Sequence, residues 1–298
     1  MKKWNADNIP NLSNKVAVIT GGNAGLGYQT SLELARKNAK IVIACRTKEK
    51  GLEAIKGIEK KLNREIDFDV ILLDLTDVES IRKFADDFKH KNDQLDILVN
   101  NAGVVSLKER QVTKDGIEMH LATNHLGHFA LTGLLLPQIK KSHDARVITM
   151  SSGGYLFATL DFDDINWEKR EYDRTKCYGA SKLANLLFMV ELDRLFKQHN
   201  YTAISAGAHP GLSATKGQKS RAEGLFYKTM AQSVEIGALP ALMGATAENV
   251  EGKTYFGPRW FIRGYPKPSK MKDIVFDEEL AKRLWKFSVK NTGVNYEF

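Results

Sequence analysis

The sequence predicts an α/β fold in which one doubly wound domain is built on a parallel sheet of about seven strands. Apolar runs of strand length alternate along the chain with longer helical patterns. Strands that are apolar on both faces are typical of a parallel sheet that is covered by helices on each side and wound with right-handed crossovers. No Pro/Ser-rich linker and no internal repeat interrupts the 298 residues, so a single domain over residues 1–298 is expected.

Apolar runs predict seven strands, which lie at Lys15–Thr20, Lys40–Ala44, Asp69–Leu73, Leu95–Asn100, Arg146–Met150, Thr202–Ala206 and Lys253–Phe256. Helical patterns are predicted from about Leu26, from about Glu49, over Val78–Lys89, over a long stretch that reaches Leu136, and over Tyr178–Phe196. Two segments, residues 153–177 and 211–237, do not fit the alternation. Both follow strand carboxyl ends, where open α/β sheets bind ligands, so we expect them to be substrate loops.

Composition and targeting signals indicate an ordinary globular protein of a reducing compartment. The chain is 43% hydrophobic and 27% charged. No apolar run reaches the roughly 20 residues of a membrane-spanning helix, and the polar start lacks the apolar region of a signal peptide. The two cysteines, Cys45 and Cys177, fall in separate parts of the predicted fold and lack metal-ligand spacing, which argues against a disulfide. A cytoplasmic location without a membrane span is therefore expected.

The formal net charge of +8 raises the question of a nucleic-acid partner. Lys and Arg are scattered among Asp and Glu along helical stretches such as residues 48–61, and they form no basic stripe there. We therefore predict no nucleic-acid partner. The excess positive charge is attributed to an anionic cofactor and to solubility.

A glycine-rich turn lies directly between the first strand and the first helix, where residues 20–27 read TGGNAGLG. Glycines allow a tight turn close to phosphates, and a helix amino terminus directs N–H groups and partial positive charge at an anion. The pattern predicts that a dinucleotide diphosphate is bound by this turn, with a purely structural turn as the alternative. The predicted contacts are Gly21, Asn23, Gly25, Leu26 and Gly27.

The end of the second strand indicates which dinucleotide is bound. A site selective for NAD places Asp or Glu there to bond the ribose 2′-hydroxyl. This chain has Arg46, whose guanidinium suits a 2′-phosphate that an acidic side chain would repel. NADP(H) is therefore predicted in preference to NAD(H). The alternative is that Arg46 is a solvated residue at the start of a loop.

A tyrosine and a lysine lie four positions apart in the segment Tyr178-Gly-Ala-Ser-Lys182. Residues at this spacing share a helix face. A free phenol has a pKa near 10 and is a poor base at neutral pH, but a nearby ammonium favours the phenolate. The pair is therefore a candidate for proton exchange with a substrate carbonyl or alcohol, and an ordinary helix face is the alternative.

Taken in chain order, these motifs resemble those of the short-chain dehydrogenase/reductase family over about residues 13 to 260. After the glycine turn come Asp74-Leu75, Asn100-Asn101-Ala102-Gly103, Asn124, Ser151-Ser152, Tyr178-x-x-x-Lys182, Pro210-Gly211 and Thr215. The resemblance implies a Rossmann fold. The cofactor contacts that it implies are Gly21, Asn23, Gly25, Leu26, Gly27, Arg46, Asp74, Leu75, Asn101, Ala102, Gly103, Tyr178, Lys182, Pro210, Gly211 and Thr215.

The resemblance also implies a catalytic tetrad of Asn124, Ser152, Tyr178 and Lys182. Ser152 would bond the substrate oxygen, and Tyr178 would act as acid in reduction and as base in oxidation. Lys182 would hold the cofactor ribose and promote ionisation of the tyrosine, and Asn124 would support a water that links Lys182 to solvent. Ser152 is preferred to Ser151 because the family's catalytic serine is the second of such a pair.

The long segment between Ser152 and Tyr178 resembles the retinol-dehydrogenase-like branch more than the compact members. Ala44-Cys-Arg46 and Ser181-Lys-Leu-Ala-Asn185 match that branch as well. Its members mostly convert lipophilic carbonyls and alcohols with NADP(H), which implies a carbonyl reductase for an apolar small molecule. The amino-terminal membrane anchor of many animal members is not matched, so membrane association and retinoid specificity are not implied.

Two competing hypotheses keep the fold and change the function. The first is a catalytically silent NADP(H)-binding sensor or scaffold, which would bind the cofactor without consuming it. The second is an isomerase or dehydratase that uses the same tyrosine without net change of the cofactor. The intact tetrad argues against the sensor.

Several other residues allow more than one interpretation. His120, His125 and His128 lie close together, but no carboxylate or cysteine accompanies them at ligand spacing, so no metal site is predicted. Cys177 adjoins Tyr178 and is interpreted as a packing residue in preference to a reactive thiol.

The apolar residues of the two loops either line a substrate pocket or anchor the loops, and the pocket is favoured. They are Tyr155, Leu156, Phe157, Phe162, Trp167, Phe226 and Met230. The apolar helix over residues 183–196 either forms a dimer surface, as it often does in the family, or packs on the sheet. The oligomeric state, homo-oligomer or monomer, therefore stays open.

Overall fold

The computed structural model describes residues 3–105, 107–213 and 231–298. Its strands are β1 (Val16–Thr20), β2 (Lys40–Cys45), β3 (Phe68–Leu72), β4 (Ile97–Asn100), β5 (Arg146–Met150), β6 (Ile204–Ala208), β7 (Tyr255–Pro258) and β8 (Pro266–Pro268). They form one sheet in the order β3-β2-β1-β4-β5-β6-β7-β8. The first seven strands are parallel, and β8 is antiparallel to β7.

The described helices are α1 (Gly25–Arg36), α2 (Lys48–Leu62), α3 (Val78–Lys91), α4 (Met119–Leu121), α5 (Gly127–Leu134), α6 (Leu136–Lys141), α7 (Arg174–Gln198), α8 (Val234–Thr246) and α9 (Glu278–Thr292). A π-helical turn at Ala122–Leu126 joins α4 to α5. The long helical stretch that the sequence predicts up to Leu136 is therefore interrupted twice, by this π turn and by a break before Pro137.

The doubly wound parallel sheet predicted from the alternating pattern is confirmed, and the seven predicted strands agree with the observed bounds to within two residues. The strand order reverses between β1 and β4, which opens a crevice at their carboxyl ends. The sequence does not predict the eighth strand, because β8 contains Pro266 and Pro268, and proline cannot donate a backbone N–H to a ladder. These prolines are tolerated because β8 lies at the edge of the sheet.

Neighbouring residues of the central strands bury opposite faces of the sheet, which is why these strands read as continuous apolar runs. Ile19 belongs to the layer that contains Leu34 of α1 and Leu242 of α8. Val18, its neighbour in β1, belongs to the opposite layer with Phe188 of α7. The carboxyl edge of the sheet therefore rests on a core that is packed on both sides.

Helix α7 begins a full turn before the start that the sequence predicts at Tyr178. The carboxylate of Asp173 accepts the N–H groups of Thr175 and Lys176 (2.8 and 3.0 Å) and caps a helix that starts at Arg174. This first turn is polar and mostly exposed, so it carries no apolar periodicity. Tyr178 consequently lies inside a capped helix and not at its end.

The sequence does not predict α8 and α9. Helix α8 replaces the end of the predicted loop over residues 211–237, and its apolar residues lie on all sides and hide the helical period. Helix α9 is capped by Asp277, whose side chain accepts the N–H of Leu280 (2.9 Å), and ends at Gly293 in the left-handed region. Within the described ranges, no helix has both the length and the apolarity to cross a bilayer.

Helix α9 and the residues after it cover the outer faces of α5 and α7. The Trp285 ring lies 5.0 Å from the ring of Phe129 and 5.9 Å from that of Phe188. The Tyr296 hydroxyl donates to the carbonyl oxygen of Phe129 (2.6 Å). The apolar helix over residues 183–196 is therefore packed between the sheet and the chain's own α9. This packing accounts for the residues that the sequence offers as a dimer surface.

Removal of the Trp285 side chain is expected to destabilise the fold without affecting turnover. Trp285→Ala should lower the free energy of unfolding by about 2–4 kcal/mol, because a cavity replaces the contacts with Phe129 and Phe188. Trp260→Ala is the control, since that ring is 67% exposed and should change stability by less than about 0.5 kcal/mol. Urea unfolding followed by circular dichroism measures both variants. Equal stability of the two would contradict the packing of α9 described above.

Candidate active site

A cleft of about 800 Å³ opens at the carboxyl ends of the strands, where the strand order reverses. Its volume is in the range of small-molecule sites. Gly211 is not part of its lining, and Thr215 lies outside the described residues. The predicted cofactor residues that line the cleft are Gly21, Asn23, Gly25, Leu26, Gly27, Arg46, Asp74, Leu75, Asn101, Ala102, Gly103, Tyr178, Lys182 and Pro210.

The lining also contains residues that the sequence motifs do not single out. Lys61 comes from the end of α2, Val104 and Val105 follow β4, and Met119 and Thr123 lie on α4 and the π turn. Helical periodicity does not identify the last two, because the π turn changes which residues share a face. The valines and the methionine give the cleft an apolar part.

The glycine turn has backbone angles and a close approach that favour glycine. Gly21 and Gly25 have φ values of 65° and 55°, in the left-handed region that glycine enters without steric cost. A Cβ on Gly27 would lie 2.3 Å from the carbonyl oxygen of Gly21, so only glycine lets the start of α1 pack against the turn. The amino end of α1 therefore lines the cleft, and helix amino ends bind phosphates through their free N–H groups.

Two cations line the cleft beside β2 and α2. Arg46 is exposed just after β2 and makes no hydrogen bond or ion pair to another described residue, so its guanidinium is available to a ligand. Lys61 has its Nζ 4.9 Å from the ring centroid of Tyr28. Asp74, after β3, accepts the N–H and the hydroxyl of Thr76 through Oδ1 (2.9 and 2.7 Å). This part of the cleft suits a ligand with negative charge.

The Thr20 hydroxyl, at the end of β1, fixes the turn that follows β4. Its Oγ1 accepts the N–H groups of Asn101 and Ala102 (2.8 and 2.9 Å), and Asn101 Nδ2 donates to the Thr20 carbonyl oxygen (2.7 Å). Gly103 is required next, because a Cβ there would lie 2.8 Å from Asn124 Oδ1. The turn after β4 is therefore held between the glycine turn and the π turn.

Tyr178 and Lys182 lie one turn apart on α7, and both line the cleft. Lys182 Nζ lies 5.6 Å from the centroid of the Tyr178 ring, so the two side chains point to the same side of the helix. The ring packs against Gly154 and meets the ring of His120 edge-on, with 5.9 Å between centroids. The phenol and the ammonium that the sequence pairs are therefore neighbours in the cleft.

Lys182 is buried, and its Nζ donates to the carbonyl oxygen of Met150 at the end of β5 (3.2 Å). Burial disfavours the charged form and lowers the pKa of Lys182 from 10.5 to about 8. The ammonium is still the main form at pH 7. Asn185, one turn along, donates its Nδ2 to the same carbonyl oxygen (2.9 Å) and fixes α7 to the end of β5.

The two serines after β5 have different surroundings. The buried Ser151 donates its hydroxyl to the main-chain carbonyl oxygen of Lys182 (2.9 Å). Ser152 is half-buried, and its Oγ accepts the N–H of Gly154 (3.3 Å). Ser152 can therefore still donate to a substrate oxygen, as its predicted role requires. Ser151 and not Ser152 belongs to the lining of the cleft, so the choice of Ser152 stays a prediction.

The side chain of Asn124, in the π turn, is engaged within the protein. Its Oδ1 accepts the N–H of Val104 (2.8 Å), and its Nδ2 donates to the Val104 carbonyl oxygen (3.1 Å) and to Ser181 Oγ (2.9 Å). The side chain therefore holds the loop after β4 against α7. The water that the resemblance assigns to Asn124 stays a prediction.

Known proteins resemble this chain in sequence and in fold. A family model described as short chain dehydrogenase matches residues 15–225. The chain belongs to the short-chain dehydrogenase family. Human retinol dehydrogenase 13 is 37% identical over 94% of this chain and 85% of its own length. Human polyprenol dehydrogenase is 33% identical over 96% of this chain and 87% of its own length.

Solved structures share the fold. An uncharacterized protein from Mycobacterium Paratuberculosis has a TM-score of 0.84 and 33% sequence identity over 100% of both chains. A short chain dehydrogenase from Escherichia coli CFT073, solved with NADPH, has a TM-score of 0.66 and 21% identity over 83% of this chain and 97% of its own. The resemblance of the sequence motifs to this family and to its retinol-dehydrogenase-like branch is thereby confirmed.

In this short-chain dehydrogenase, the loop over residues 153–177 is anchored by two of the aromatic side chains that the sequence offers for a pocket. Tyr155 is buried and packs edge-on against the ring of Tyr255, with 5.9 Å between centroids. Trp167 is buried, and the guanidinium of Arg170 lies 3.8 Å from its ring centroid. The anchoring interpretation fits these contacts.

The contacts of the other described residues of this loop do not support the pocket interpretation. Phe157 is 84% exposed, Phe162 packs against the ring of Phe287, and no predicted pocket residue of the loop lines the cleft. Phe226 and Met230, the other predicted pocket residues, lie outside the described ranges. The apolar part of the cleft comes from Val104, Val105, Met119 and Met150.

Glu118, His120 and Cys177 form a buried cluster beside Tyr178, with ligand atoms within 4.8 Å of one another. The spacing in the sequence indicates that no carboxylate or cysteine accompanies the histidines. This is wrong, because the fold brings Glu118 and Cys177 next to His120. His120 Nε2 accepts the N–H of Leu107 (3.4 Å), so Nδ1 carries the hydrogen and donates to the Glu118 carboxylate (2.8 Å). A metal ion would need Nδ1 without its hydrogen, so hydrogen bonding explains this cluster better than an ion does.

Cys177 is the third member of this cluster. Burial and the neighbouring Glu118 carboxylate raise the pKa of the Cys177 thiol far above its usual range. The thiol therefore stays protonated at neutral pH and lacks the thiolate character of reactive cysteines. This agrees with the interpretation of Cys177 as a packing residue.

Proposed function

We propose that this short-chain dehydrogenase is an NADP(H)-dependent carbonyl reductase that reduces an apolar aldehyde or ketone and oxidises the corresponding alcohol at high NADP⁺. The observation that carries the proposal is that the Tyr178/Lys182 pair and the glycine turn line the same cleft. Hydride transfer to a carbonyl requires a proton donor next to a dinucleotide site, and this cleft offers both.

The cleft fits a phosphorylated dinucleotide. The glycine turn and the amino end of α1 line the cleft, which supports a diphosphate bound at that helix end. Arg46 and Lys61 add two positive charges beside β2, which favours a 2′-phosphate and hence NADP(H) over NAD(H). When bound, NADPH supplies the hydride for the reduction.

Each residue of the tetrad has its own task in this proposal. Tyr178 donates its hydroxyl proton to the substrate oxygen as the carbonyl carbon is reduced, so that an alcohol is formed. Lys182 holds an ammonium beside the ring and stabilises the phenolate that remains. Ser152 donates a hydrogen bond to the substrate oxygen and orients it. Asn124 holds the loop that carries Val104 in the wall of the cleft.

The chemistry of the lining favours an apolar substrate. Val104, Val105, Met119 and Met150 contribute apolar side chains to the same cleft as Tyr178. Two relatives carry names that refer to apolar alcohols, retinol dehydrogenase and polyprenol dehydrogenase. Both observations support a lipophilic carbonyl or alcohol as the substrate class.

A substrate panel tests the proposal. Lipophilic aldehydes, ketones and alcohols are incubated with the protein and NADPH or NADP⁺, and the NADPH absorbance is followed with NADH as the control. Consumption of NADPH with at least one carbonyl is the expected result. Binding of NADPH without consumption across the panel would indicate a sensor, and substrate conversion without any absorbance change would indicate an isomerase or dehydratase.

Reversal of the charge at Arg46 is expected to change the cofactor preference. Arg46→Asp should lower kcat/KM for NADPH about tenfold to a hundredfold, because a charged hydrogen bond to the 2′-phosphate is replaced by repulsion. The kcat/KM for NADH should stay the same or rise. Lys56→Asp is the matched control, since Lys56 is exposed on α2 and does not line the cleft. Equal losses with both cofactors would refute the assignment of Arg46.

A further inference from the structure

His128 is a fully buried polar residue for which the proposed function has no task. It lies in α5, one turn after Asn124. Its Nδ1 lies 3.0 Å from the main-chain oxygen of Asn124, and its Nε2 lies 2.9 Å from Thr20 Oγ1. One imidazole therefore touches both the end of β1, next to the glycine turn, and the π turn that carries Asn124.

The partners of His128 determine where its hydrogen lies. Burial lowers the pKa of His128 to about 4, so the ring is neutral at pH 7 and has one donor and one acceptor. The main-chain oxygen of Asn124 can only accept, so Nδ1 carries the hydrogen. Nε2 then accepts the hydroxyl hydrogen of Thr20, which lies closer to it than to the Val99 carbonyl oxygen (2.9 against 3.3 Å).

The hydrogen bonds of His128 are part of a longer buried chain with one consistent direction. The chain starts at Thr20, passes through His128 to Asn124, and continues from Asn124 Nδ2 to Ser181 Oγ (2.9 Å). Ser181 then donates its hydroxyl to the main-chain oxygen of Tyr178 (2.7 Å). At each step the donor of one residue meets an acceptor of the next.

This chain of hydrogen bonds begins next to the predicted cofactor site and ends at Tyr178, the predicted acid. Thr20 accepts the N–H groups of Asn101 and Ala102, both of which line the cleft. Tyr178 lines the cleft from α7. His128 connects the end of β1 directly with the π turn, beside a second connection that runs through the turn after β4 and Val104 to Asn124. Without His128, Thr20 Oγ1 and the main-chain oxygen of Asn124 would each lose this bond.

We infer that His128 is a positioning residue that fixes the π turn, and through Asn124 and Ser181 the start of α7 with Tyr178, relative to the cofactor turn. The inference rests on the proposed function, in which a proton passes from Tyr178 to a substrate beside the nicotinamide. Misplacement of a reacting group by about 1 Å costs about a hundredfold in rate. His128 acts through its two neighbours and has no part in the chemical step.

His125 provides a matched control on the same segment. It is also buried and neutral, since burial lowers its pKa to about 3. Its Nε2 is bonded to Ser288 Oγ of α9 (2.8 Å), and its ring lies beside those of Phe129 and Phe188. His125 therefore bonds the C-terminal helix and contributes no bond to the hydrogen-bond chain of His128.

The experiment compares three variants for kcat, KM and NADPH affinity. His128→Phe keeps the size of the ring and removes both hydrogen bonds, and we expect kcat to fall about tenfold to a hundredfold with little change in KM. His128→Gln keeps one donor and one acceptor and should recover most of kcat. His125→Phe should keep the wild-type kcat, whatever its effect on the melting temperature.

A second variant keeps the test valid if His128→Phe does not fold. Thr20→Val preserves shape and removes the hydroxyl at the other end of the link, together with the acceptor of the Asn101 and Ala102 N–H groups, so it should lower kcat at least as much as His128→Phe. In the His128→Phe/Thr20→Val double variant, the loss should hardly exceed that of Thr20→Val alone, because Thr20→Val already breaks the bond to His128. Full additivity of the two losses, or equal kcat for His128→Phe and His125→Phe, would overturn the inference.

Tyr178→Phe, measured alongside, separates this inference from the proposed function. Wild-type turnover in Tyr178→Phe would refute the proposed function itself. Loss of turnover in Tyr178→Phe together with wild-type kcat in His128→Phe and Thr20→Val would refute only the role of His128.

Discussion

Replacement of Tyr178 by phenylalanine is expected to lower kcat about a thousandfold and to leave NADPH binding nearly unchanged. The phenol hydroxyl is the proton donor in the proposed reaction, and a positioned general acid contributes about 10²–10⁴ to the rate. The ring itself remains, so its packing against Gly154 and His120 is preserved. Turnover is measured by the NADPH absorbance, and cofactor affinity by titration calorimetry.

Tyr155→Phe is the matched control for this variant. Tyr155 is buried at the loop after β5 and does not line the cleft, so the same chemical change there should leave kcat within the error of the assay. Turnover near the wild-type value in Tyr178→Phe would exclude this tyrosine as the acid. A comparable loss in both variants would point to general damage of the loop and not to the chemistry of Tyr178.

Replacement of Lys182 by methionine is expected to change activity and stability in opposite directions. Lys182→Met removes the ammonium beside Tyr178, which should lower kcat by about two to three orders of magnitude. The same change also removes a charge that is costly to bury. This cost is seen in the pKa of Lys182, which burial lowers to about 8. The cofactor-free variant should therefore be more stable than the wild type by about 2–3 kcal/mol at pH 7.

The pH dependence of stability checks the sign of this effect. Between pH 8 and 10.5, Lys182 is mostly uncharged in the folded protein and still charged in the unfolded chain. The unfolded chain then binds more protons, so this group makes the wild type more stable as pH rises through that range. The extra free energy of unfolding of Lys182→Met over the wild type should be largest below pH 8 and should vanish towards pH 10.5. A variant that is less stable than the wild type at pH 7 would contradict this account.

The sequence predicts the sheet and the cofactor side of the cleft well, because both depend on local chemistry. Strands buried on both faces need continuous apolar runs, such as Arg146–Met150, and a diphosphate turn needs glycine at positions 21, 25 and 27. The spacing of Tyr178 and Lys182 within one helix also fixes their common face before any tertiary contact is known.

The remaining parts of the site depend on contacts between distant segments. The cluster of Glu118, His120 and Cys177 forms only when α7 packs beside the segment before the π turn. The neutral bridge at His128 depends on Thr20, which is 108 positions away. Neither spacing nor composition reveals such partners. The pocket predicted from the aromatic residues of loop 153–177 lacks support for a related reason. The sequence shows that these side chains are apolar, but it does not show which way they point.

The position of α9 in the chain has a consequence for biosynthesis. Translation produces α5 and α7 well before α9, the element that covers them. Until Trp285 and Tyr296 have left the ribosome, the rings of Phe129 and Phe188 lack their outer cover. The nascent protein therefore presents an exposed apolar surface of the kind that chaperones shield, and this surface is covered only after α9 has emerged.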